Sequence, residues 1–160
     1  MTGSGFLGRA GAAGLAVLAP LCMTGAARAE ALIEGVWLTP QQAEMTISAC
    51  VEGFCGYITK VAITDEIRAK YGDGLDQVEV FTDYNNRDPA LKARPIQNLQ
   101  ILTLRGTDSP WRFQGEIYSP EDGNTYAGEL TILDADRLVL KGCALIVLCQ
   151  EHIWTRVGAE

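Results

Sequence analysis

Apolar and polar residues alternate through most of the chain after residue 35, and this alternation predicts an antiparallel β protein. A period of two places apolar side chains on one face of a strand and polar side chains on the other. Glycine, proline, aspartate and serine separate the alternating segments and favour tight turns between them. The predicted strands span residues 35–39, 43–50, 55–62, 77–81, 99–105, 111–119, 124–133, 137–142 and 151–157.

One segment breaks the alternation and predicts a short helix. Ile63, Ile67 and Tyr71 recur every four residues, and Thr64 or Asp65 is a suitable N-cap. Gly72 ends the helix in this interpretation, and the polar segment 82–95 that follows predicts a long surface loop.

Short connections between consecutive strands favour an all-β fold, an antiparallel up-and-down barrel of about eight strands with one short helix. A closed barrel also removes the exposed edges that a small β protein must otherwise protect. A β-sandwich is the alternative architecture.

The segment from 111 to 133 has the most specific predicted register. Pro120-Glu121-Asp122-Gly123 predicts a turn, with Gly123 in the left-handed conformation that favours glycine. This turn places Ser119 opposite Asn124 and Ile117 opposite Tyr126. A shift by one residue would bury charged side chains, so the register is well specified. The inward face then carries Trp111, Phe113, Gly115, Ile117, Tyr126, Gly128, Leu130 and Ile132.

Two carboxylates at the tip of this hairpin, Glu121 and Asp122, raise the question of an acid/base pair or a cation site. We expect both to lie in solvent, where no desolvation is available to shift the pKa of either group. Calcium requires more oxygen ligands than two carboxylates supply. We therefore interpret this segment as a structural turn.

Residues 1–29 have the pattern of a cleavable secretory signal peptide. A positive charge at Arg9 precedes an apolar stretch, and Ala27 and Ala29 provide the small residues before a cleavage site. Cleavage after Ala29 leaves one domain, residues 30–160, and predicts a periplasmic or secreted protein without an integral membrane segment. Lipidation at Cys22 is disfavoured because Leu21 precedes it, and a retained N-terminal anchor is the other alternative.

The predicted mature chain is acidic, with 11 basic against 20 acidic residues and a net charge of −9. Nucleic acids and anionic membrane surfaces attract basic patches, so this balance argues against both as partners.

Four cysteines remain after cleavage, and an even number in an exported chain predicts disulfides. Three pairings are possible, of which two local bridges, Cys50–Cys55 and Cys143–Cys149, are the simplest. A zinc site is the competing interpretation, but an oxidising compartment and spacings wider than two residues disfavour it. We predict no metal site and no cofactor.

The two ends of the mature chain carry complementary residues. In a barrel the first and last strands are neighbours, so Arg156 is able to lie over the Trp37 indole and cap one end of the core. Gly35-Val36-Trp37 together with the late Arg156 resembles the Gly-x-Trp and arginine signature of the lipocalin and wider calycin superfamily.

A more specific resemblance covers nearly the whole mature chain. The segments Gly35-Val36-Trp37, Cys55-Gly56-Tyr57-Ile58, Asp88-Pro89-Ala90-Leu91, Arg94-Pro95, the stretch from Trp111 to Gly123, Gly142-Cys143 and Trp154-Thr155-Arg156 occur in order. They resemble the bacterial exported family known as domain of unknown function 2147 (DUF2147). The resemblance implies a lipocalin-like barrel and small-molecule binding, without catalytic residues to carry over. After Pro95 the family usually has an apolar residue and a glycine. This chain departs from that pattern, because Ile96-Gln97-Asn98 follow Pro95 here.

No sequence motif of a hydrolase or a phosphate-binding loop is present, and the lone His152 is interpreted as structural. The leading hypothesis is a barrel that binds a small, partly apolar molecule inside, without catalysis. The alternative is a solidly packed cell-envelope module that binds another protein through its loops, above all 82–95; an enzyme is the third hypothesis. The candidate ligand-binding residues are Trp111, Phe113, Ile117, Tyr126, Leu130 and Leu140.

Overall fold

Eight antiparallel strands close into a barrel in the computed structural model, which describes residues 32–72, 81–145 and 148–158. Each strand pairs with the next along the chain, and the last strand pairs with the first. One helix, α1 (Asp65–Tyr71), lies in the connection between the third and fourth strands. The strands are β1 Gly35–Leu38, β2 Glu44–Cys50, β3 Gly53–Lys60, β4 Gln100–Gly106, β5 Arg112–Ser119, β6 Asn124–Ile132, β7 Arg137–Leu145 and β8 Leu148–Arg156.

The up-and-down barrel confirms the architecture expected from the alternation. The short helix is also confirmed: the Thr64 hydroxyl accepts the Ile67 N–H at 3.3 Å, and Gly72 ends the helix with a φ of 82°. The predicted strand 77–81 lies outside the described residues except for Phe81, which belongs to no strand. The predicted signal peptide also lies outside them. Within the described residues, no helix is long and apolar enough to cross a membrane.

The β5–β6 hairpin has the predicted register, with Ser119 opposite Asn124 and Ile117 opposite Tyr126. Gly123 adopts a φ of 69°, and its N–H donates to the Ser119 carbonyl at 2.8 Å. A side chain at position 123 would collide with the backbone oxygen of Asn85, so two constraints select glycine here.

The barrel interior is filled by aliphatic and aromatic side chains through the half nearest the ends of β2, β4 and β6. Phe54 and Phe113 meet edge to face there, with ring centroids 5.3 Å apart. A side chain with no exposed surface touches neither bulk water nor an internal space, so neighbouring atoms enclose it on every side. Side chains that are at most 2% exposed include Trp37, Met45, Ile47, Leu102, Leu104, Phe113, Leu130 and Leu138.

Arg156 and Trp37 seal this end, which we call the closed end. The guanidinium carbon of Arg156 lies 4.2 Å from the centroid of the Trp37 ring, and this contact confirms the predicted stack. The same guanidinium donates to the carbonyls of Leu32, Glu34 and Ala135 at 2.5, 2.9 and 2.7 Å. One side chain therefore ties the segment before β1 and the β6–β7 turn to the last strand.

Gly35 is required beside this arginine for two reasons. Its φ is 137°, a conformation that residues with side chains rarely adopt. A Cβ at this position would also collide with the Arg156 guanidinium.

Two local disulfides close hairpins at opposite ends of the barrel. Cys50–Cys55 joins β2 to β3 at the closed end, and Cys143–Cys149 joins β7 to β8 at the other end. These are the two pairs that the sequence favours. β3 has the predicted length but begins two residues earlier, at Gly53, whereas β7 and β8 are longer than the alternation predicts, since β7 extends to Leu145 and β8 begins at Leu148.

Candidate functional site at the open end

Inward-facing residues become accessible toward the end of the barrel opposite Arg156, which we call the open end. Phe113 and Leu130 are 2% and 0% exposed, whereas Leu140 is 6% exposed and Ile117 is half-buried. His152 is also half-buried and lies directly opposite Leu140, which places it on the inner face. Phe113, Leu130, Leu140 and His152 lie opposite one another across β5 to β8. Accessible inner surface therefore begins at His152 on β8 and at Ile117 on β5.

A row of three glycines crosses the inner wall at this level. Gly115 lies opposite Gly128, and Gly128 lies opposite Gly142, so neighbouring positions on β5, β6 and β7 carry no side chain. The Ile117 side chain covers part of the row, and its Cδ1 would lie 3.4 Å from a Cβ built on Gly142. A Cβ at Gly128 would collide with Ile117, and a Cβ at Gly115 would collide with the Thr103 carbonyl oxygen, so Gly142 is the position in the row that has room for a side chain.

The six predicted ligand-binding residues separate into three groups. Phe113, Leu130 and Leu140 belong to the buried core, whereas Ile117, which packs against that core, and Tyr126 lie toward the open end. Trp111 is a correction, because it precedes β5 at the closed end and is 40% exposed. Its carbonyl accepts the N–H of Ile132 at 2.9 Å, so Trp111 lies far from the accessible part of the inner wall.

Tyr126 requires a second correction. We expected its phenol to face the interior, but the hydroxyl donates to Oδ2 of Asp122 at the rim. This hydrogen bond lowers the pKa of Asp122 to about 2 and raises the pKa of Tyr126. From the sequence, desolvation was the only cause considered for a shift in the pKa of Asp122. In the structure, hydrogen bonding causes the shift.

A buried polar cluster outside the barrel holds the loop 81–99 against β5. Asp83 exposes no surface, and its carboxylate accepts from the Tyr118 hydroxyl at 2.6 Å, from Asn86 Nδ2 at 2.8 Å and from Arg94 Nε at 2.8 Å. Burial raises the pKa of Asp83, but the hydrogen bonds from Tyr118, Asn86 and Arg94 outweigh it, so the pKa is lowered overall.

Sequence reasoning missed this cluster. Tyr118 follows the inward-facing Ile117, so the alternation predicts that it lies on the outer face of β5, and an aromatic residue on that otherwise polar face was the available signal. Asp83 and Arg94 are 11 residues apart in an irregular segment, where no periodicity predicts which side chains meet.

The same loop contacts the β5–β6 turn. Asn85 Nδ2 donates to the Glu121 carbonyl at 2.8 Å, and the Asn85 backbone lies against Gly123. The loop ends at Asn98, which adopts a φ of 63° and donates its N–H to the Ile58 carbonyl at 2.6 Å. Asparagine tolerates this left-handed conformation better than most residues that carry a side chain. Loop and turn together form one side of the rim.

One group of potential metal ligands occurs in the described part of the chain, formed by Cys50, Glu52 and Cys55. The two cysteines are joined to each other in a disulfide, so neither thiolate is available to bind a metal ion.

A closed, eight-stranded, up-and-down barrel with a tryptophan–arginine pair at one end is a lipocalin-like barrel. Residues 35–156 match a family described as uncharacterised protein conserved in bacteria (DUF2147), and the chain belongs to this family. Among solved structures, it is similar to protein HP1028 from Helicobacter pylori, described as belonging to the lipocalin family. The TM-score is 0.63 at 15% identity, over 79% of this chain and 83% of that one. A search of curated protein sequences found no match.

Proposed function

We propose that this protein is exported to the periplasm or secreted, and that it binds a small, partly apolar molecule at the open end without catalysis. The observation that carries the proposal is the gradient of exposure along the inner wall, from 0% at Leu130 to the half-buried Ile117 and His152. Barrel mouths are common positions for small-molecule sites.

The filled lower half limits the size of the ligand. Because Phe113, Leu130 and the residues around them leave no space, a ligand would occupy only the upper barrel and its rim. Concave sites of this kind combine apolar walls with a few polar groups that orient the ligand.

The proposed walls and rim supply both kinds of group. Ile117, Leu140 and the glycine row provide apolar surface, while His152 provides a polar group on the inner face. Tyr126 and Asp122, joined by their hydrogen bond, contribute polar atoms at the rim. Tyr126 therefore remains a candidate ligand-binding residue, and its hydrogen-bond partner Asp122 becomes an additional one. Phe113 and Leu130 would support the site from below.

Two further observations support export and the binding class. Disulfides are typical of oxidising compartments outside the cytoplasm, and two are present among the described residues. The similar barrel of HP1028 belongs to a protein described as a lipocalin.

Native mass spectrometry of the protein purified from its own periplasm or culture medium tests the proposal. We expect a reproducible additional mass on the folded protein that disappears after denaturation. Folded protein that carries no such mass in independent preparations would contradict small-molecule carriage.

A second candidate function is binding of another envelope protein through the loop 81–99. Tyr84 is 72% exposed and Leu91 is 38% exposed on this loop, while Asp83 holds its base in place. Fixed loops with exposed aromatic residues suit protein contacts. Co-purification of one partner by the wild type, and its loss on Tyr84→Ser without loss of the bound small mass, would favour this candidate.

A further inference from the structure

Strand β8 is paired along its whole length on one side and along only a short part on the other. β7 pairs with residues from Leu148 to Thr155. On the opposite side, β1 pairs only with Thr155 and Arg156. Among the described residues, the segment 148–153 thus forms an edge at the open end of an otherwise closed barrel.

Pro40 explains why the pairing of β1 stops. Leu38 pairs with Thr155, so the next hydrogen-bonding position on β1 would be residue 40, opposite Ile153. Proline has no N–H to donate. The chain also turns away at this point, since the Thr39 N–H donates to the Ala43 carbonyl at 2.9 Å.

The orientation of the free backbone groups follows from bonds at the end of β8. The Arg156 N–H donates to Asp136 on the β7 side, at 2.8 Å, and the Val157 N–H donates to Val36 on the β1 side, at 2.9 Å. Because successive residues of a strand point in opposite directions, the backbone groups of Cys149, Glu151 and Ile153 point away from β7. In the described part of the chain, none of these groups has a backbone partner on that side.

We propose that this edge pairs with the same edge of a second copy of the chain, antiparallel and around a twofold axis, with Glu151 opposite Glu151 of the second copy. In this register Cys149 lies opposite Ile153, and each of the three outward-directed residues exchanges two backbone hydrogen bonds with the second copy. An isologous contact of this kind closes after two subunits.

The side chains of the edge suit this register. Glu151 is paired with Lys141 of its own subunit at 3.1 Å, so the two carboxylates at the axis come with two ammonium groups and the centre is balanced in charge. Ile153, which is 55% exposed, meets the apolar Cys143–Cys149 disulfide of the second copy. On the other face Gln150 lies opposite His152, which joins two hydrogen-bonding side chains. A charged strand from an unrelated protein would not bring the second Lys141–Glu151 pair that balances the charge at the axis.

Engineered cross-linking tests the register directly. Hydrogen-bonded antiparallel residues have Cα atoms about 5.5 Å apart, within the range of about 4.4–6.8 Å that a disulfide spans. Purified Glu151→Cys, in a Cys22→Ser background so that the conclusion does not depend on signal-peptide cleavage, should form a dimer of twice the monomer mass under mild oxidation, and reductant should reverse it. Glu129→Cys, on the outer face of β6, should stay monomeric. Absence of the Glu151→Cys dimer, or equal cross-linking of both variants, would overturn the proposal.

A charge substitution tests the same surface without new cysteines. Light scattering should give a dimer mass for the wild type, and Ile153→Lys should raise the dimer dissociation constant at least tenfold. Leu133→Lys is the matched control, because Leu133 is 49% exposed but lies in the β6–β7 turn at the closed end. The proposal fails if the wild type is monomeric up to its highest soluble concentration, or if both lysine variants dissociate equally.

Discussion

At the scale of single residues, Arg156 combines several different kinds of contact. Its guanidinium covers the Trp37 ring and also donates to three backbone carbonyls from two other segments. The sequence predicted the stack, because the first and last strands of a barrel must meet. The carbonyl contacts were not predictable, since they depend on the path of irregular segments beside β1 and between β6 and β7.

We expect Arg156→Ala to lower the free energy of unfolding by about 2–3 kcal/mol, because it removes a partly buried cation–π contact and charged hydrogen bonds. Urea denaturation measures this change. Arg137→Ala is the control: it breaks an exposed pair with Asp134, and exposed pairs contribute only about 0–1 kcal/mol. Equal losses in the two variants would show that the contacts of Arg156 have no special weight.

Asp83 is a second residue that attaches an irregular segment to the barrel, in this case the loop 81–99. Its carboxylate accepts hydrogen bonds from Tyr118 and Arg94, which lie on different segments. Because the folded protein lowers the pKa of Asp83 below its ordinary value of 3.8, the ionised form is favoured by folding. This stabilisation is fully present above the unfolded pKa, near pH 4, and is lost as the pH falls through the folded pKa.

The predicted consequence is that Asp83→Asn destabilises the protein by roughly 1–3 kcal/mol at neutral pH, since Arg94 loses its buried counter-ion but is able to rehydrate. The difference from the wild type should shrink below about pH 4, as Asp83 of the wild type becomes protonated. Unfolding curves at several pH values measure both effects. Asp136→Asn, an exposed substitution in the β6–β7 turn, should leave the stability unchanged; a pH-independent deficit in Asp83→Asn would contradict the ionic account.

At the scale of elements, alternation predicted the strands and the β5–β6 register closely. Pro120 and Gly123 specify the turn, and the cost of burying charged residues excludes the neighbouring register. Alternation assigns a side chain to a face but does not say where its far end lies. For this reason Tyr126 was correctly placed on the inner face, while its bond to Asp122 was missed. Strand ends were missed where disulfides extend the β7–β8 hairpin to Leu145 and Leu148.

The loop 81–99 shows a different limit of sequence reasoning. Its polar composition correctly indicated a surface segment. Its attachment depends on Asp83, Arg94 and Tyr118 meeting across 35 residues of chain, and no local pattern encodes that meeting.

At the scale of the whole molecule, the barrel has two unlike ends. The closed end is sealed by Trp37 and Arg156, and the half beside it is filled with fully buried side chains. The open end has the glycine row, the half-buried Ile117 and His152, and a rim formed by the loop and the β5–β6 turn. The sequence indicated a barrel with either a filled interior or a cavity. The division into two halves could not be predicted, because packing depends on how rings such as Phe54 and Phe113 interlock.

The central claim is that the upper barrel binds a small, partly apolar molecule, and filling that space tests it most directly. We would titrate the wild type, Gly142→Val and Gly106→Val with the neutral apolar fluorophore N-phenyl-1-naphthylamine. A Cβ at Gly142 points at Ile117 in ordinary contact, whereas a Cβ at Gly106 meets nothing within 4 Å. With all three folds verified by thermal unfolding, we predict equal binding by the wild type and Gly106→Val, and at least tenfold weaker binding by Gly142→Val. Equal affinities for all three proteins, or no binding by the wild type, would contradict the account.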